Sequence, residues 1–458
     1  MTLPGQSASN ASDVTTLPTA GRSQAGAATH SSMANAAGTT AKPTMTAAAG
    51  SAATPPNRAT GAAGSGPNVG IGAAGTAGDP TQPPPAGSGA TETARELPAL
   101  DCGKDGLVIE NAGPPKNRVN YVIIGDGYTQ EQLPTMKQHI DVAMKKRFSP
   151  VIGQPYGRYR KFVNICLVQL VSENGPIGSG PTALSCSGDD QSRLANCDTN
   201  KVNMELKARL PASFEVDWKS VVLNNDRWWN TGAVIMLWSG GHKDAAGAAL
   251  HEGGHGFHQL ADEYDGTDSN CSREFEEVNS TTDAMMTAGK WDMWLGYDQA
   301  DATGMQTTIV GSRYCKSGQY RPSDNSMMNM LFGDKPNTAY NSVSREKMAM
   351  DVWRAVTPID ETRPPAGDAG SATTLEVVVI DPEVISVDWS VDGQMVAAKG
   401  GTKIDLAAQK LAPGSHTISA KAYDNAGPEL VRYLTGTKYG RMNWARSQQT
   451  VEWKVTIQ

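Results

Sequence analysis

No stretch of this 458-residue chain is apolar over the roughly 18 residues that a bilayer-spanning helix needs, so a transmembrane segment is excluded. Excess positive charge is also missing. With 40 Lys and Arg against 47 Asp and Glu, the net charge is −7 and no basic stripe exists to follow a phosphate backbone, so nucleic acid is not an expected partner. No CxxC spacing occurs among the six cysteines, which disfavours a zinc-thiolate site. Residues 1–98 have few large apolar and few charged side chains, being mostly Ala, Gly, Ser, Thr and Pro. Such a segment cannot bury enough surface to offset chain entropy and reads as a disordered tether. The opening MTLPGQSASN has neither the charged n-region nor the apolar h-region of a secretory signal. A long tether ahead of a compact region nonetheless suits a protein whose leader or anchor lies further upstream, so the expected location is extracellular or the cell surface.

About 360 residues then remain, enough for one sizeable core and a smaller accessory domain. Cys102, Cys166, Cys186, Cys197, Cys271 and Cys315 all fall between residues 99 and 360, and an even count suits disulfides and export. Cys186 and Cys197, which enclose the polar loop SGDDQSRLAN, are the most natural pair. The order of elements in this region is α/β. Residues 119–125 read as a buried strand. Thr129 and Gln132 form a capping-box signal for a helix whose apolar positions Leu133, Met136, Ile140, Met144 and Phe148 follow helical spacing. Residues 162–171, 221–223 and 233–238 read as further strands, with a short helix over 202–210 ended by Pro211. Trp228 and Trp229 either line a cleft or pack, and packing is expected of at least one.

The segment HEGGHGFHQLADEY, residues 251–264, carries the chemistry. At about 100° per residue, His251 and His255 lie one helical turn apart on one face and can reach a single ion. Glu252 is then placed to take a proton from a metal-activated water. Ser239, Gly240 and Gly241 break the preceding strand, and Asp244 is expected to cap a helix entering at Ala245. Gly253, Gly254 and Gly256 each cost about 1 kcal/mol against alanine in a helix, which argues for close approach by a neighbouring strand or a substrate backbone, or for tight packing alone. A catalytic zinc needs a third protein ligand. In an unbroken helix Asp262 would lie roughly 10 Å beyond His255, so the helix must end and turn back for it to reach. The metzincin pattern places a glycine three residues after the second His and a ligand three further on; here those positions hold His258 and Ala261. Asp262, one residue later, is the expected ligand, with Glu263, Glu274, Glu276 or Glu277 as alternatives, and His258 is expected to pack or to support the site.

Residues 119–348 resemble the bacterial IgA-specific metallopeptidase family, zinc endopeptidases with an HExxH helix. The resemblance rests on VNYVIIGDGYT at 119–129, on LADEY directly after the motif, on NSTTDAMMTAGKW at 279–291 and on QYRPSDNSMM at 319–328. It implies a zincin-like catalytic domain, His251, His255 and Asp262 as ligands of one Zn2+, Glu252 as base, and Met328 in a turn beneath the metal, with Met327 as its alternative. The chain departs from the family with Gly253 after the catalytic Glu and with Ser326 where cysteines are usual near the methionine turn. Cleavage of IgA belongs to one branch and is not carried over.

Beyond the motif the chain is loop-rich. Asp265, Asp268, Asp298 and Asp301 offer oxygen ligands to a Ca2+ ion, but their spacing matches no calcium loop and solvated acids are the expected reading. Tyr314, Tyr320 and Tyr340 are candidates to donate to a developing oxyanion. Residues 361–372, ETRPPAGDAGSA, read as a linker. Residues 373–458 show short alternating apolar runs between turn signals, with Val387, Trp389 and Val391 on one face of one strand and His416, Ile418, Ala420 and Ala422 on one face of another. That pattern predicts an all-β immunoglobulin-like sandwich, docked on the catalytic domain or binding a glycan or protein surface. The combined expectation is a secreted endopeptidase acting on protein or peptide substrates, the alternative being a zinc-binding adhesin without catalysis.

Overall fold

The structure, a computed structural model, describes residues 97–266, 271–287, 289–299, 303–329, 338–432 and 445–458. Nearly all of the expected tether, together with Asp268 and Asp301, lies outside these residues. The described residues all belong to one structural unit.

Its first part alternates strands and helices: β1 (Gly106–Glu110), β2 (Val119–Asp126), α1 (Leu133–Arg147), β3 (Val163–Val168), β4 (Ser187–Gly188), β5 (Ala195–Asn196), α2 (Thr199–Arg209), β6 (Trp218–Leu223), β7 (Asn230–Thr231), β8 (Met236–Ser239) and α3 (Ala245–Gly256). Six of these strands form a sheet in the order β1-β3-β2-β6-β8-β7. Its four inner strands are parallel and its two edges antiparallel. Every residue of β2 is buried, as expected of a strand covered on both faces. Tyr121 and Ile123 join the core that contains Met136 and Ile140 of α1 and Ala248 and Leu250 of α3. Val122 and Ile124 face a second core with Val202 and Leu206 of α2. The Thr129–Gln132 capping box forms as the sequence predicts.

After α3 come two short ribbons, β9 (Asp298–Gln299) with β10 (Gly304–Met305) and β11 (Ile309–Ser312) with β12 (Cys315–Arg321), then α4 (Ser342–Ala355). The six cysteines are consumed in the disulfides Cys102–Cys166, Cys186–Cys197 and Cys271–Cys315, so no thiolate remains for a metal. None of the described helices is long and apolar enough to cross a membrane.

The last part is β-rich: β13 (Ile359–Arg363), β14 (Gly367–Gly370), β15 (Thr374–Val379), β16 (Ile385–Val391), β17 (Gln394–Ala397), β18 (Lys403–Asp405), β19 (Gly414–Asp424) and β20 (Gln448–Ile457). They form sheets β13-β15-β18 and β14-β20-β19-β16-β17. The expected linker at 361–372 is therefore corrected: it holds the end of β13 and all of β14, whose backbone groups pair with β15 and β20. Pro364, Pro365 and the nearby glycines shape the turn between two strands rather than a free connector. Val387, Trp389, Val391, Ile418, Ala420 and Ala422 are buried along the predicted faces, while His416 pairs with Asp392 near the surface. This part docks on the first through Asp424. The Asp424 carboxylate accepts from Arg158 (2.7 Å), Tyr159 (2.5 Å) and Trp353 (2.9 Å), and a buried Arg118–Asp360 pair at 2.8 Å lies along the same seam.

Candidate metal centre

Helix α3 starts after the break at Gly240–Gly241 and packs with α1 over β6 and β8 of the sheet. Asp244 occupies its N-cap position, but its carboxylate makes no capping bond and pairs with Lys243 instead. The three glycines meet specific neighbours. A Cβ at Gly253 would come within 2.9 Å of the Trp218 ring, at Gly254 within 2.5 Å of the Met328 sulfur, and at Gly256 within 2.8 Å of the Ala233 carbonyl oxygen. Their cost in helix propensity is offset by close packing against protein rather than against a substrate.

The helix ends at Gly256 and the chain reverses at Gln259, whose φ of 54° is left-handed. Leu260 N–H then reaches back to the Gly254 carbonyl at 2.9 Å. The metzincin spacing is preserved in a shifted form: the turning residue stands at 259 rather than 258, and Asp262 follows it by three. This reversal brings Asp262 back to the histidines. Its Oδ1 lies 3.1 Å from Nε2 of both His251 and His255, which are themselves 3.1 Å apart.

The outer nitrogens of the two rings are already committed. His251 Nδ1 lies 2.8 Å from the Met327 carbonyl and His255 Nδ1 2.7 Å from the Leu260 carbonyl. A carbonyl can only accept, so each Nδ1 carries a proton, and it is the Nε2 of each ring that can give a lone pair to an ion. The two Nε2 atoms and a carboxylate oxygen thus converge on one point, an arrangement that calls for a positive charge there, a metal ion or a proton. The electrostatics agree. Burial works against a charge on His255, but the Asp262 and Glu252 carboxylates outweigh it and push the imidazole up to about 9. Burial alone would raise Asp262, yet the two histidines hold its carboxyl well below the usual range. Burial lifts Glu252 above the ordinary value, opposed by His251 and His255.

His251, Glu252 and His255 offer ligand atoms all within 4.8 Å of one another, and Asp262 Oδ1 adds a further oxygen 3.1 Å from both histidines. Glu252 is buried, and its Oε2 faces Gly232, where a Cβ would come within 2.7 Å.

The alternative acids lie elsewhere. Glu263 is fully buried and accepts from Asn279 (2.8 Å), Ser326 (2.5 Å) and Asn341 (2.9 Å), tying the Asp262 segment to the methionine turn and to the N-cap of α4. Ser326 thereby has a role as donor. Glu274 binds Thr282 and Lys290, Glu277 pairs with Arg313, and Glu276 is exposed. His258 is fully buried between the Tyr156 hydroxyl at 2.5 Å and Asp351 at 2.9 Å. Trp228 and Trp229 are half-buried and pack against the two cores.

Of the three candidate tyrosines, Tyr340 is spent on the Leu250 carbonyl. Tyr314 stands at the mouth of the site, 45% exposed, and its hydroxyl donates to Asp262 Oδ2 at 2.6 Å. Tyr264, not singled out in the sequence, donates to the Tyr314 oxygen at 3.1 Å. Its place in the LADEY run, two residues after Asp262, was the available signal.

No curated protein matches the chain. Among solved structures, the endo-beta-1,4-mannanase from Thermotoga petrophila is similar at 13% identity with a TM-score of 0.14, over 30% of this chain and 28% of that one, which carries no argument. Residues 107–308 match the family described as IgA Peptidase M64, a span that includes the main sheet, α3 and Asp262. It is over this segment, somewhat under half of the chain, that the protein is similar to the IgA Peptidase M64 family.

Proposed function

We propose that the protein is a zinc-dependent endopeptidase in which His251, His255 and Asp262 hold the ion and Glu252 is the general base. The observation that carries this reading is the convergence of two Nε2 atoms and one carboxylate oxygen at 3.1 Å, with both Nδ1 protons held by carbonyls. A set of two imidazoles and one carboxylate suits zinc with an open coordination position.

When bound, the ion supplies Lewis-acid polarisation of the scissile carbonyl and an activated water. Glu252 accepts a proton at its carboxylate and delivers it to the leaving amine, a role suited to a buried acid raised above its ordinary value. The Met327 and Leu260 carbonyls keep the two rings oriented throughout. Met328, with its sulfur against Gly254, supports the helix from below. Three disulfides suit an exported protein. No observation favours the adhesin alternative.

The test is metal content measured together with chelator-sensitive cleavage of casein. Glu252→Ala is expected to retain zinc and lose cleavage by a factor of at least about 10², whereas His255→Ala is expected to lose both. Wild-type cleavage by purified Glu252→Ala protein would refute the assignment.

A further inference from the structure

We infer that Tyr314 is a positioning residue of the metal centre, its hydroxyl locking the Asp262 carboxylate with Oδ1 toward the histidines, on a turn clamped by the Cys271–Cys315 disulfide. This inference rests on the metallopeptidase reading above. A carboxylate ligand has two equivalent oxygens and a rotatable side chain, so something must choose which oxygen faces the ion. Here Oδ2 is occupied by the Tyr314 hydroxyl at 2.6 Å, leaving Oδ1 at the histidines. The direction of that bond is fixed from behind, because Tyr264 donates its own proton to the Tyr314 oxygen.

The backbone grips the same segment. Arg313 N–H donates to the Asp262 carbonyl at 2.9 Å and Tyr314 N–H to the Tyr264 carbonyl at 3.1 Å, while Ser312 Oγ also donates to the Asp262 carbonyl. Arg313 and Tyr314 form the two-residue loop between paired Ser312 and Cys315, with φ of 52° and 64°. Positive φ at both central positions marks a type I′ hairpin turn, ordinarily built from Asn and Gly. Two bulky residues persist in such a conformation only where their surroundings hold them. Cys315, the next residue, is bonded to Cys271, and Arg313 lies over the Phe275 ring and pairs with Glu277. The hydroxyl is thus committed to Asp262, not poised to donate to a substrate oxyanion.

The experiment compares the full chain with Tyr314→Phe, Tyr264→Phe and Cys271→Ser/Cys315→Ser. Zinc retention against a chromogenic chelator and the visible spectrum of the cobalt-substituted protein are the readouts, with the thermal midpoint as a check on folding. Tyr314→Phe keeps the ring against Tyr264, centroids 5.1 Å apart, and removes only the hydroxyl. It is expected to hold zinc about 10- to 100-fold more weakly, the usual loss for a partner of a metal ligand, and to shift the cobalt spectrum at an unchanged thermal midpoint. Tyr264→Phe and the double cysteine variant are expected to shift zinc retention in the same direction. Wild-type zinc retention and cobalt spectrum in Tyr314→Phe would overturn the inference even if catalysis fell, since that outcome is the one expected of a substrate donor. Failure of the parent protein to bind zinc, or zinc binding that survives His255→Ala, would overturn the metallopeptidase reading instead.

Discussion

His258 offers a quantitative test of the packing beneath the helix. It is fully buried, its Nε2 accepts from Tyr156 and its Nδ1–H donates to Asp351. Burial, chiefly, pushes its imidazole down from the ordinary 6.5 to about 4, with Lys347 and Arg147 adding to the effect and Asp351 opposing it. The folded protein thus refuses a proton that the unfolded chain accepts. A depressed folded-state value means that the stabilising contribution is complete above pH 6.5 and is lost as pH falls toward 4. Between pH 7.5 and 4.5 this linkage amounts to about 2.5 kcal/mol. In His258→Gln the amide can still donate to Asp351 and accept from Tyr156, but it cannot titrate. Urea unfolding with the disulfides intact would be measured for both proteins at the two pH values. The variant is expected to be the less stable at pH 7.5, with the gap narrowing by about 2.5 kcal/mol at pH 4.5. Loss of metal at low pH is common to both proteins and cancels in the difference. A gap that stays constant across that range would refute the argument that His258 is held neutral by burial.

Gly256→Ala should lower the thermal midpoint although alanine favours helix by about 1 kcal/mol. The new Cβ would meet the Ala233 carbonyl oxygen at 2.8 Å and Met236 at 2.6 Å, and overpacking of this kind costs about 1–3 kcal/mol; an unchanged or higher midpoint would show that the glycine is not required for packing. Asp424→Ala removes the acceptor shared by Arg158, Tyr159 and Trp353 and strands the buried Tyr159 hydroxyl, at a cost of about 1–3 kcal/mol. Limited proteolysis should then cut between the two parts of the chain, near residue 357, faster than in the parent, and equal cutting rates would argue against Asp424 as the docking anchor.

The sequence made the helix and its two histidines legible because both depend on local spacing. His251 and His255 share a face by helical geometry alone, and Glu252 comes with them. Four of the six main-sheet strands were legible for a similar reason, their apolar runs being bounded by glycine or polar turns, whereas the edge strands β1 and β7 carry no such run. Asp262 was reachable only by inference, since its place depends on where the helix reverses, and no glycine marks that point. Gln259 takes the left-handed turn instead, held by the bond from Leu260 back to Gly254. Glu263 stands as an alternative to Asp262 in the sequence because distance along the chain from the histidines cannot tell which way adjacent side chains point. Asp262 and Glu263 diverge by one residue, one toward the histidines and the other into the cluster of Asn279, Ser326 and Asn341. The apparent linker failed for a different reason: in β14 the strand is specified by pairing with β20, Gly367 lying opposite Trp453, and a Gly-rich run carries no apolar alternation to announce it. The least legible group is Tyr314, fifty-two residues from the carboxylate it touches. Its position depends on a turn that local propensity opposes, so only the long-range bonds that hold the turn reveal it. A residue placed against its own backbone preference and hydrogen-bonded to Asp262 is where the energetic cost of local strain is matched by control of the site.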